Sequence, residues 1–236
     1  ARLHASVPWV TTWDDHEVQN DYAGGTNAQA DAAAFLAQRA AAWQAFYENM
    51  PLRATALAGA QFDRLQVYRR LPWGRLAQLH LLDDRQYRAL QACRKPGATN
   101  AGGVRPADCA ELADPTRSLL GPAQEQWLDA GLAADAKNDH TRWSVLAQQT
   151  LFSPRRYPSG QVATDGWDGY PQRANACCNP FSATARATPC CWAGTFTKTM
   201  CATCTHRWLT ATGLCWPANS AARPSAPGRC APRSRG

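Results

Sequence analysis

The chain has 236 residues, of which 45% are hydrophobic, and this length is enough to bury a substantial core in one large or two small domains. Its formal net charge is +7, but residues 1–172 carry 17 basic and 18 acidic side chains, so the basic excess lies in the last part of the chain. The near-neutral body gives no indication of nucleic-acid binding, and without an apolar run of about 18 residues no membrane span is predicted.

A strand and a helix are the first predicted elements. Residues 7–13 form an apolar, β-prone run, which we interpret as a short buried strand. A helix is predicted from about Ala28 to Met50, where Pro51 ends it. Its predicted core-facing residues are spaced alternately by four and three: Leu36, Ala40, Trp43, Tyr47 and Met50.

The middle of the chain alternates strands and a helix. Residues 65–71 and 75–82 predict a hairpin that turns at Pro72-Trp73-Gly74. A helix is predicted from Gly121-Pro122 to about Ala134, and a buried strand over residues 142–150. This alternation predicts an α/β layered domain.

Residues 93–118 are rich in Gly, Pro and Asp and predict a long loop. Cys93 and Cys109 are the two cysteines of the body, and they are placed to staple this loop with a disulfide. Such a bond indicates an oxidising compartment.

The cluster Asp14-Asp15-His16-Glu17 directly follows the first predicted strand. Asp14 with Glu17 three residues later matches a capping box, so the cluster could simply begin a helical turn. Alternatively, carboxylates are ligands for hard metal ions, and an adjacent imidazole could bind phosphate or protonate a leaving oxygen. Loops at the carboxyl ends of strands are where α/β folds place such sites. The tetrapeptide alone does not decide between the two.

The stretch "VPWVTTWDDHEVQNDYAG" resembles the central signature of PhoD-type alkaline phosphatases and phosphodiesterases. The resemblance continues in collinear order to Arg173. It is carried by "RAAAWQAFYENMPLR", "LQVYRRLPWGRLAQLHLLDDRQYR", "LLGPAQEQWL", "RWSVLAQQT" and "WDGYP". One departure is Asp84, which stands where the family's "LDTRQYR" has Thr. Residues 1–173 are therefore interpreted as part of a calcineurin-like metallophosphoesterase domain, a β-sandwich flanked by helices.

The resemblance also implies the site. The family's Gly-Asn-His-Glu/Asp loop supplies a metal ligand and a histidine that contacts phosphate, so Asp15 takes the ligand position and His16 the catalytic one. Asp14 is a further candidate metal ligand. Iron and calcium are the metals that the resemblance favours, with magnesium, manganese or zinc as alternatives. Arg85 could bind substrate phosphate, although an arginine after a buried strand is more often a salt-bridge partner.

Other residues of the body are predicted to be structural. His80 lies in an apolar strand and is expected to be a hydrogen-bonded core histidine, and Trp73 and Tyr87 are expected to pack. Trp167 and Asp168 could line the rim of the site or close a loop.

Residues 174–236 differ in character from the body. They contain eight of the ten cysteines, no acidic residue and no helical or strand periodicity. A zinc module and a disulfide-rich appendix are two interpretations. The zinc ligands would be Cys201, Cys204, His206 and either Cys190 or Cys215.

We favour a third interpretation, translation in the wrong reading frame. Read two nucleotides later, the degenerate codons of residues 189–191 permit an apolar strand, and those of residues 192–200 permit "G-G-D-[IV]-H". Metallophosphatases use such a strand to deliver an Asp and a His to a metal. Residues 174–236 are therefore expected to be an out-of-frame, disordered tail.

The resulting functional hypothesis has two levels. The lineage is expected to hydrolyse phosphate monoesters or diesters and to be exported, as the family commonly is. The chain as written is expected to be inactive, because it shows neither the family's "GD-x-IY-x-D" segment nor an in-frame "GD-[IV]-H". It is also expected to fold poorly, because missing core strands would leave sheet edges exposed. A non-catalytic remnant and a Cys-rich zinc or nucleic-acid-binding module are the alternatives.

Overall fold

In a computed structural model, the described part of the chain comprises the residue ranges 5–26, 31–52, 61–98, 100–137, 143–152 and 157–174, with residues 141 and 155. The backbone of residues 190–195 and 198–203 is also described. These parts form a mixed α/β structure, which confirms the predicted fold class. None of the helices in these ranges is both long enough and apolar enough to cross a bilayer.

A five-stranded mixed sheet with the order β1-β2-β4-β6-β7 is the framework. Adjacent strands are antiparallel at both ends of the sheet, where β1 pairs with β2 and β6 with β7. The strands β2, β4 and β6 are parallel to one another. The strands are β1 (Arg69–Trp73), β2 (Ala77–Leu81), β4 (Trp143–Gln148), β6 (Cys190–Thr195) and β7 (Lys198–Thr203). A separate antiparallel pair joins β3 (Gly103–Val104) to β5 (Val162–Ala163).

The hairpin and the later strand that the sequence predicted are confirmed. β1 and β2 pair directly, and Gly74 in the turn between them has φ +56, a left-handed conformation that glycine adopts without a steric penalty. The predicted buried strand over residues 142–150 is β4, which lies parallel to β2. Two neighbouring parallel strands need a long crossover connection between them. The connection from β2 to β4 contains the second helix.

The predicted strand over residues 7–13 is wrong, because none of the described residues forms a backbone ladder with it. Side chains hold this segment instead: Arg69 donates through Nη2 to the carbonyl of Thr11 at 2.9 Å, and Thr12 donates to the carbonyl of Leu82 at 3.4 Å. An apolar run becomes a strand only where a partner satisfies its backbone groups.

Helix α1 spans Ala32–Asn49, and Asp31 caps it by accepting from the amide of Ala33 at 3.1 Å. The predicted start at Ala28 lies outside the described residues. The predicted core face is displaced by one residue at its start: Phe35 is buried whereas Leu36 is 41% exposed. Trp43, with Phe46, forms the rest of the buried face.

The aromatic contacts of α1 fix the segment that leads into the acidic cluster. Trp13 stacks on Trp43 with ring centroids 4.7 Å apart and meets Phe46 edge-on at 5.5 Å. All three rings are buried. The residue immediately before Asp14 is therefore anchored in a packed core.

Helix α2 spans Pro122–Lys137 and is longer than predicted. It packs Leu128 and Leu132 against the sheet. Asp135 of this helix accepts from Ser144 at 2.7 Å and lies 2.7 Å from Nε2 of His80. His80 is thus a hydrogen-bonded core histidine, as the sequence predicted.

The backbone after Arg173 includes strands that the sequence did not predict. β6 pairs in parallel with β4 from Val145↔Cys190 onward, and β7 returns antiparallel to β6. Period-two patterning is weak in residues 190–203, so sequence reasoning had no signal for these strands. The side chains of the predicted zinc module lie outside the described residues.

Candidate metal and phosphate site

The candidate site lies at the carboxyl ends of the parallel strands β2 and β4. Asp84 and Arg85 follow β2, and Gln149 follows β4. Gln149 ties three segments together: its Oε1 accepts from the amide of Asp84 at 3.1 Å, and its Nε2 donates to the hydroxyl of Thr12 at 2.7 Å. The chain before the acidic cluster is thereby fixed to the sheet edge where α/β folds place their sites.

Residues 14–19 form a helical turn. The amides of Val18 and Gln19 donate to the carbonyl of Asp15 at 2.9 and 2.7 Å, and the amide of Asp14 donates to Glu17 Oε2 at 2.8 Å. This is the Glu half of a capping box. The side chain of Asp14 does not complete the box, because it is turned towards Arg85.

Arg85 is the centre of an ion-pair cluster. Its Nε donates to Asp14 Oδ1 at 2.6 Å, Nη2 lies 3.5 Å from Asp15 Oδ1, and Nη1 donates to both oxygens of Asp165 at 3.0 and 2.9 Å. Only 3% of its side chain is exposed. Burial acts to lower the pKa of the guanidinium, but the three carboxylates outweigh burial and raise it above the usual value. This geometry supports the salt-bridge interpretation of Arg85.

Asp15 and His16 differ in how far they are buried. Asp15 is buried, and its Oδ2 accepts from the amide of Asp21 at 2.8 Å. His16 leaves 67% of its side chain exposed, with Nε2 only 3.8 Å from the same Asp15 oxygen. The turn therefore places a fixed carboxylate and a solvent-facing imidazole side by side.

Asp14 has an unusual environment for an ion-paired carboxylate. Burial raises its pKa to about 6, and Asp15 adds to the effect, although the nearby Arg85 lowers it. Desolvation therefore dominates over the ion pair at this position.

Asp165 is a site residue that sequence reasoning missed. Besides Arg85, it accepts from Arg88 Nη2 at 2.7 Å and from Gln91 Nε2 at 3.0 Å. Burial acts to raise its pKa, but the cations of Arg88 and Arg85 outweigh burial and hold the pKa below the usual value. Eighty residues separate Asp165 from Arg85, so only the fold brings them together. The sequence signal for Asp165 was its position just before Trp167 and Asp168, which were already singled out from the sequence.

The other residues singled out from the sequence have structural positions. Trp167 is buried in the core, where its indole N–H donates to Gln148. Asp168 accepts from the amide of Arg155 at 2.9 Å, which favours a loop-closing role. Tyr87 meets Tyr68 edge-on, whereas Trp73 is 64% exposed and does not pack as predicted.

A disulfide joins Cys93 to Cys109, with the sulfurs 2.07 Å and the Cα atoms 6.0 Å apart. It closes the segment that we call the disulfide loop, residues 93–109. This loop contacts the site, because Asn100 accepts from Asn20 at 2.7 Å and the amide of Ala101 donates to Asp21 at 2.7 Å.

The donor set fits a metal centre only in part. Within the described residues, no three His, Cys, Asp or Glu side chains converge as metal ligands. The carboxylates of Asp14 and Asp15 have the right chemistry for hard ions, and each oxygen that accepts one hydrogen bond keeps a second lone pair. These two residues therefore fit as contributors to a metal site and not as a complete one.

Comparison with known proteins gives concordant matches. The PhoD-like phosphatase family matches residues 1–196, which extends past Arg173. Alkaline phosphatase D of Bacillus subtilis (strain 168) is 42% identical to the chain over 172 residues, covering 71% of the chain and 27% of that protein. A solved structure of PhoD is 37% identical, with a TM-score of 0.67 over 80% of this chain and 36% of its own. The chain thus spans about a quarter to a third of the length of these relatives.

Proposed function

This chain belongs to the PhoD-like phosphatase family, and we propose that the complete protein hydrolyses phosphate monoesters or diesters with the help of metal ions. The observation that carries the proposal is the turn at residues 14–17. It holds the buried Asp15 beside the exposed His16 at the carboxyl ends of two parallel strands. The family resemblance favours iron and calcium, with magnesium, manganese or zinc as alternatives.

The site residues of this chain would have different roles in the reaction. Asp15, with Asp14, would hold metal through carboxylate oxygens. When bound, metal ions would supply Lewis acidity to the phosphoryl group and would lower the pKa of the attacking water. His16 would stabilise the charge that develops in the transition state or protonate the departing alkoxide. Arg85 would neutralise part of the carboxylate charge and keep Asp14 and Asp15 in place.

The isolated stretch is proposed to be inactive. Its described residues offer two candidate metal-ligating carboxylates, and no three His, Cys, Asp or Glu side chains among them converge as ligands. The chain covers 27% of the Bacillus relative. We expect no turnover of a nitrophenyl phosphate ester by the purified chain with these metals added, and turnover by the complete protein. Robust turnover by the isolated chain would contradict this part of the proposal.

An export pathway is part of the same proposal. The disulfide between Cys93 and Cys109 suits an oxidising compartment, and the family resemblance implies a periplasmic or secreted enzyme. Detection of the complete protein in the periplasmic or culture fraction, with both cysteines resistant to alkylation, is the expected result.

Substitution of His16 by alanine tests the catalytic assignment. In the complete protein we expect kcat for a nitrophenyl phosphate ester to fall by about 10²–10⁴-fold, the usual contribution of a general acid. Stability should change little, because His16 is mainly exposed. Gln44→Ala, on the exposed surface of α1, is the matched control and should keep the parent rate. A His16→Ala variant with the parent kcat would refute the assignment.

A further inference from the structure

Asp21 links the disulfide loop to the site. Its amide donates to Asp15 Oδ2 at 2.8 Å, and its own Oδ2 accepts from the amide of Ala101 at 2.7 Å. Ala101 lies within the disulfide loop, between Cys93 and Cys109. A continuous path of two hydrogen bonds therefore runs from the loop to the candidate metal ligand.

Asp21 adopts a left-handed backbone conformation, and its carbonyl has two side-chain partners. Its φ is +51, in the left-handed region that L-residues other than Asn and Asp rarely occupy. Two side chains hold its carbonyl: Gln91 Nε2 at 2.8 Å and Arg94 Nη1 at 2.9 Å. With the bond from Ala101, these contacts set the direction in which the Asp21 amide points.

The disulfide loop is held in turn at several points. Asn100 accepts from Asn20 at 2.7 Å, and Thr164 donates to the carbonyl of Ala101 at 3.1 Å. The disulfide is the covalent closure of this loop, because it ties Cys93 to Cys109 across a sequence separation of 16. Without that bond, only non-covalent contacts would restrain the intervening residues.

We propose that Asp21 is a positioning residue for the carboxylate of Asp15, and that the Cys93–Cys109 disulfide makes this positioning sensitive to reduction. The inference rests on the proposed function of Asp15. A dithiol reductant would convert the disulfide to two thiols and would itself become a cyclic disulfide, so electrons and protons balance. The loosened loop would then release the bond from Ala101 to Asp21, and the Asp21 amide would no longer direct Asp15.

The first experiment compares reduced and oxidised forms of the complete protein. Loss of a partner that orients a metal ligand typically costs about 10- to 100-fold in activity or metal affinity, and dithiothreitol should lower kcat for a nitrophenyl phosphate ester by that factor. The double variant Cys93→Ser/Cys109→Ser should show the low rate with or without dithiothreitol. Lys95→Ala, an exposed change within the same loop, should behave as the parent does. A double variant as active as the oxidised parent overturns the proposal.

Two substitutions of Asp21 separate positioning from general stability. Asn can still accept from Ala101 and tolerates the left-handed conformation, so Asp21→Asn should keep most of the activity. Asp21→Ala loses the acceptor and disfavours φ +51, so kcat should fall by about 10-fold or more while the variant stays folded by circular dichroism. Equal rates for the two variants would contradict the proposal.

Hydrogen exchange gives a readout that is independent of catalysis. In the oxidised parent, the amides of Asp21 and Ala101 should be protected, since both donate to carboxylates. Reduction should raise their exchange rates and leave the amides of β4 unchanged. Unchanged exchange at Asp21 and Ala101 on reduction overturns the inference. If no form of the protein hydrolyses the ester, the proposed function fails, and the exchange result still decides whether the disulfide positions Asp21.

Discussion

At the scale of single residues, charge compensation decides how the site is built. Arg85 faces Asp14, Asp15 and Asp165, and Arg88 adds a second cation at Asp165. Buried carboxylates are tolerated only when they are paired or hydrogen-bonded. The cluster can therefore keep two acidic side chains close together next to a solvent-facing histidine, which is the combination on which the proposed function rests.

Asp84 is a buried carboxylate in the same region, and only one of its two oxygens has hydrogen-bond partners among the described residues. It is fully buried, its Oδ2 accepts from the amide and hydroxyl of Thr150, and its Oδ1 has no hydrogen-bond partner among the described residues. Burial raises its pKa to about 6 in spite of the Thr150 hydrogen bonds. The folded protein therefore binds a proton here more tightly than the unfolded chain does.

This shift predicts a pH-dependent effect of Asp84→Asn. Because the folded pKa is raised, the contribution of Asp84 to stability is present below the unfolded pKa, near 4, and is lost as the pH rises to about 6. Relative to the parent, Asp84→Asn should thus gain about 2 kcal/mol in free energy of unfolding between pH 4 and pH 8. One pKa unit corresponds to about 1.4 kcal/mol, and the unfolded carboxyl is already about half ionised at pH 4. Urea unfolding at both pH values measures the gain, and a parallel pH dependence of the two proteins would contradict the prediction.

Sequence reasoning can single out candidate residues that lie in one local segment, but it misses contacts that only the fold assembles. Asp14, Asp15 and His16 are adjacent in the chain, so their type and order predicted a site. Asp21 and Asp165 act through partners up to 80 residues away, and no local pattern marks such contacts.

At the scale of elements, the residue types of a segment predicted which secondary structure it could form. Whether the segment formed a strand depended on a neighbouring strand that could pair with its backbone. In the β1–β2 hairpin each strand pairs with the other, and the predicted strand bounds differ from the observed ones by only a few residues. Residues 7–13 have the composition of a strand but no ladder partner among the described residues, and they are held by side chains. β6 was missed for the opposite reason, because its residues show only weak period-two patterning although β4 lies alongside it.

The position of β6 bears on the reading-frame prediction. Its first residue, Cys190, falls within residues 189–191, where the shifted frame permits an apolar strand. Resequencing the coding DNA around codon 174 is expected to restore a Gly-Asp-Ile/Val-His run. An unchanged sequence at these codons would remove the frameshift interpretation.

Helix α2 depends on a buried polar contact with the sheet. Asp135 accepts from Ser144 and pairs with His80 across the interface. Asp135→Asn weakens both contacts and should lower the free energy of unfolding by about 1–3 kcal/mol, the cost of disturbing hydrogen bonds to a buried charge. Asp129→Asn, an exposed change on the same helix, is the control and should stay within about 0.5 kcal/mol of the parent. Equal effects of the two substitutions would show that the buried contact does not hold the helix.

At the scale of the whole molecule, exposed apolar side chains gather at one end of the sheet within the described residues. Trp73, Ala77 and Trp143 are in register across β1, β2 and β4, so their side chains share one face. Trp73 is 64% and Trp143 45% exposed, and the neighbouring Leu76 is also exposed. Contiguous apolar surface of this kind is typical of an interaction surface or of an aggregation-prone one.

The isolated chain is therefore expected to self-associate through this face. Trp73→Ser/Trp143→Ser should reduce the fraction of oligomer in sedimentation velocity, because it removes the two largest exposed apolar side chains of the face. Tyr157→Ser, an exposed aromatic residue in the segment before β5, is the matched control. Self-association that persists in the double variant to the same extent would place the contact elsewhere.

The assignment of the site requires that Asp15 binds a metal ion and that His16 contacts the phosphate. A crystal structure of the complete protein, grown with its metals and inorganic phosphate, tests this most directly. We predict an Asp15 carboxylate oxygen within about 2.0–2.6 Å of a metal ion and the His16 imidazole within about 3.2 Å of a phosphate oxygen. A structure in which both side chains turn away from every ion and from the phosphate would contradict the account.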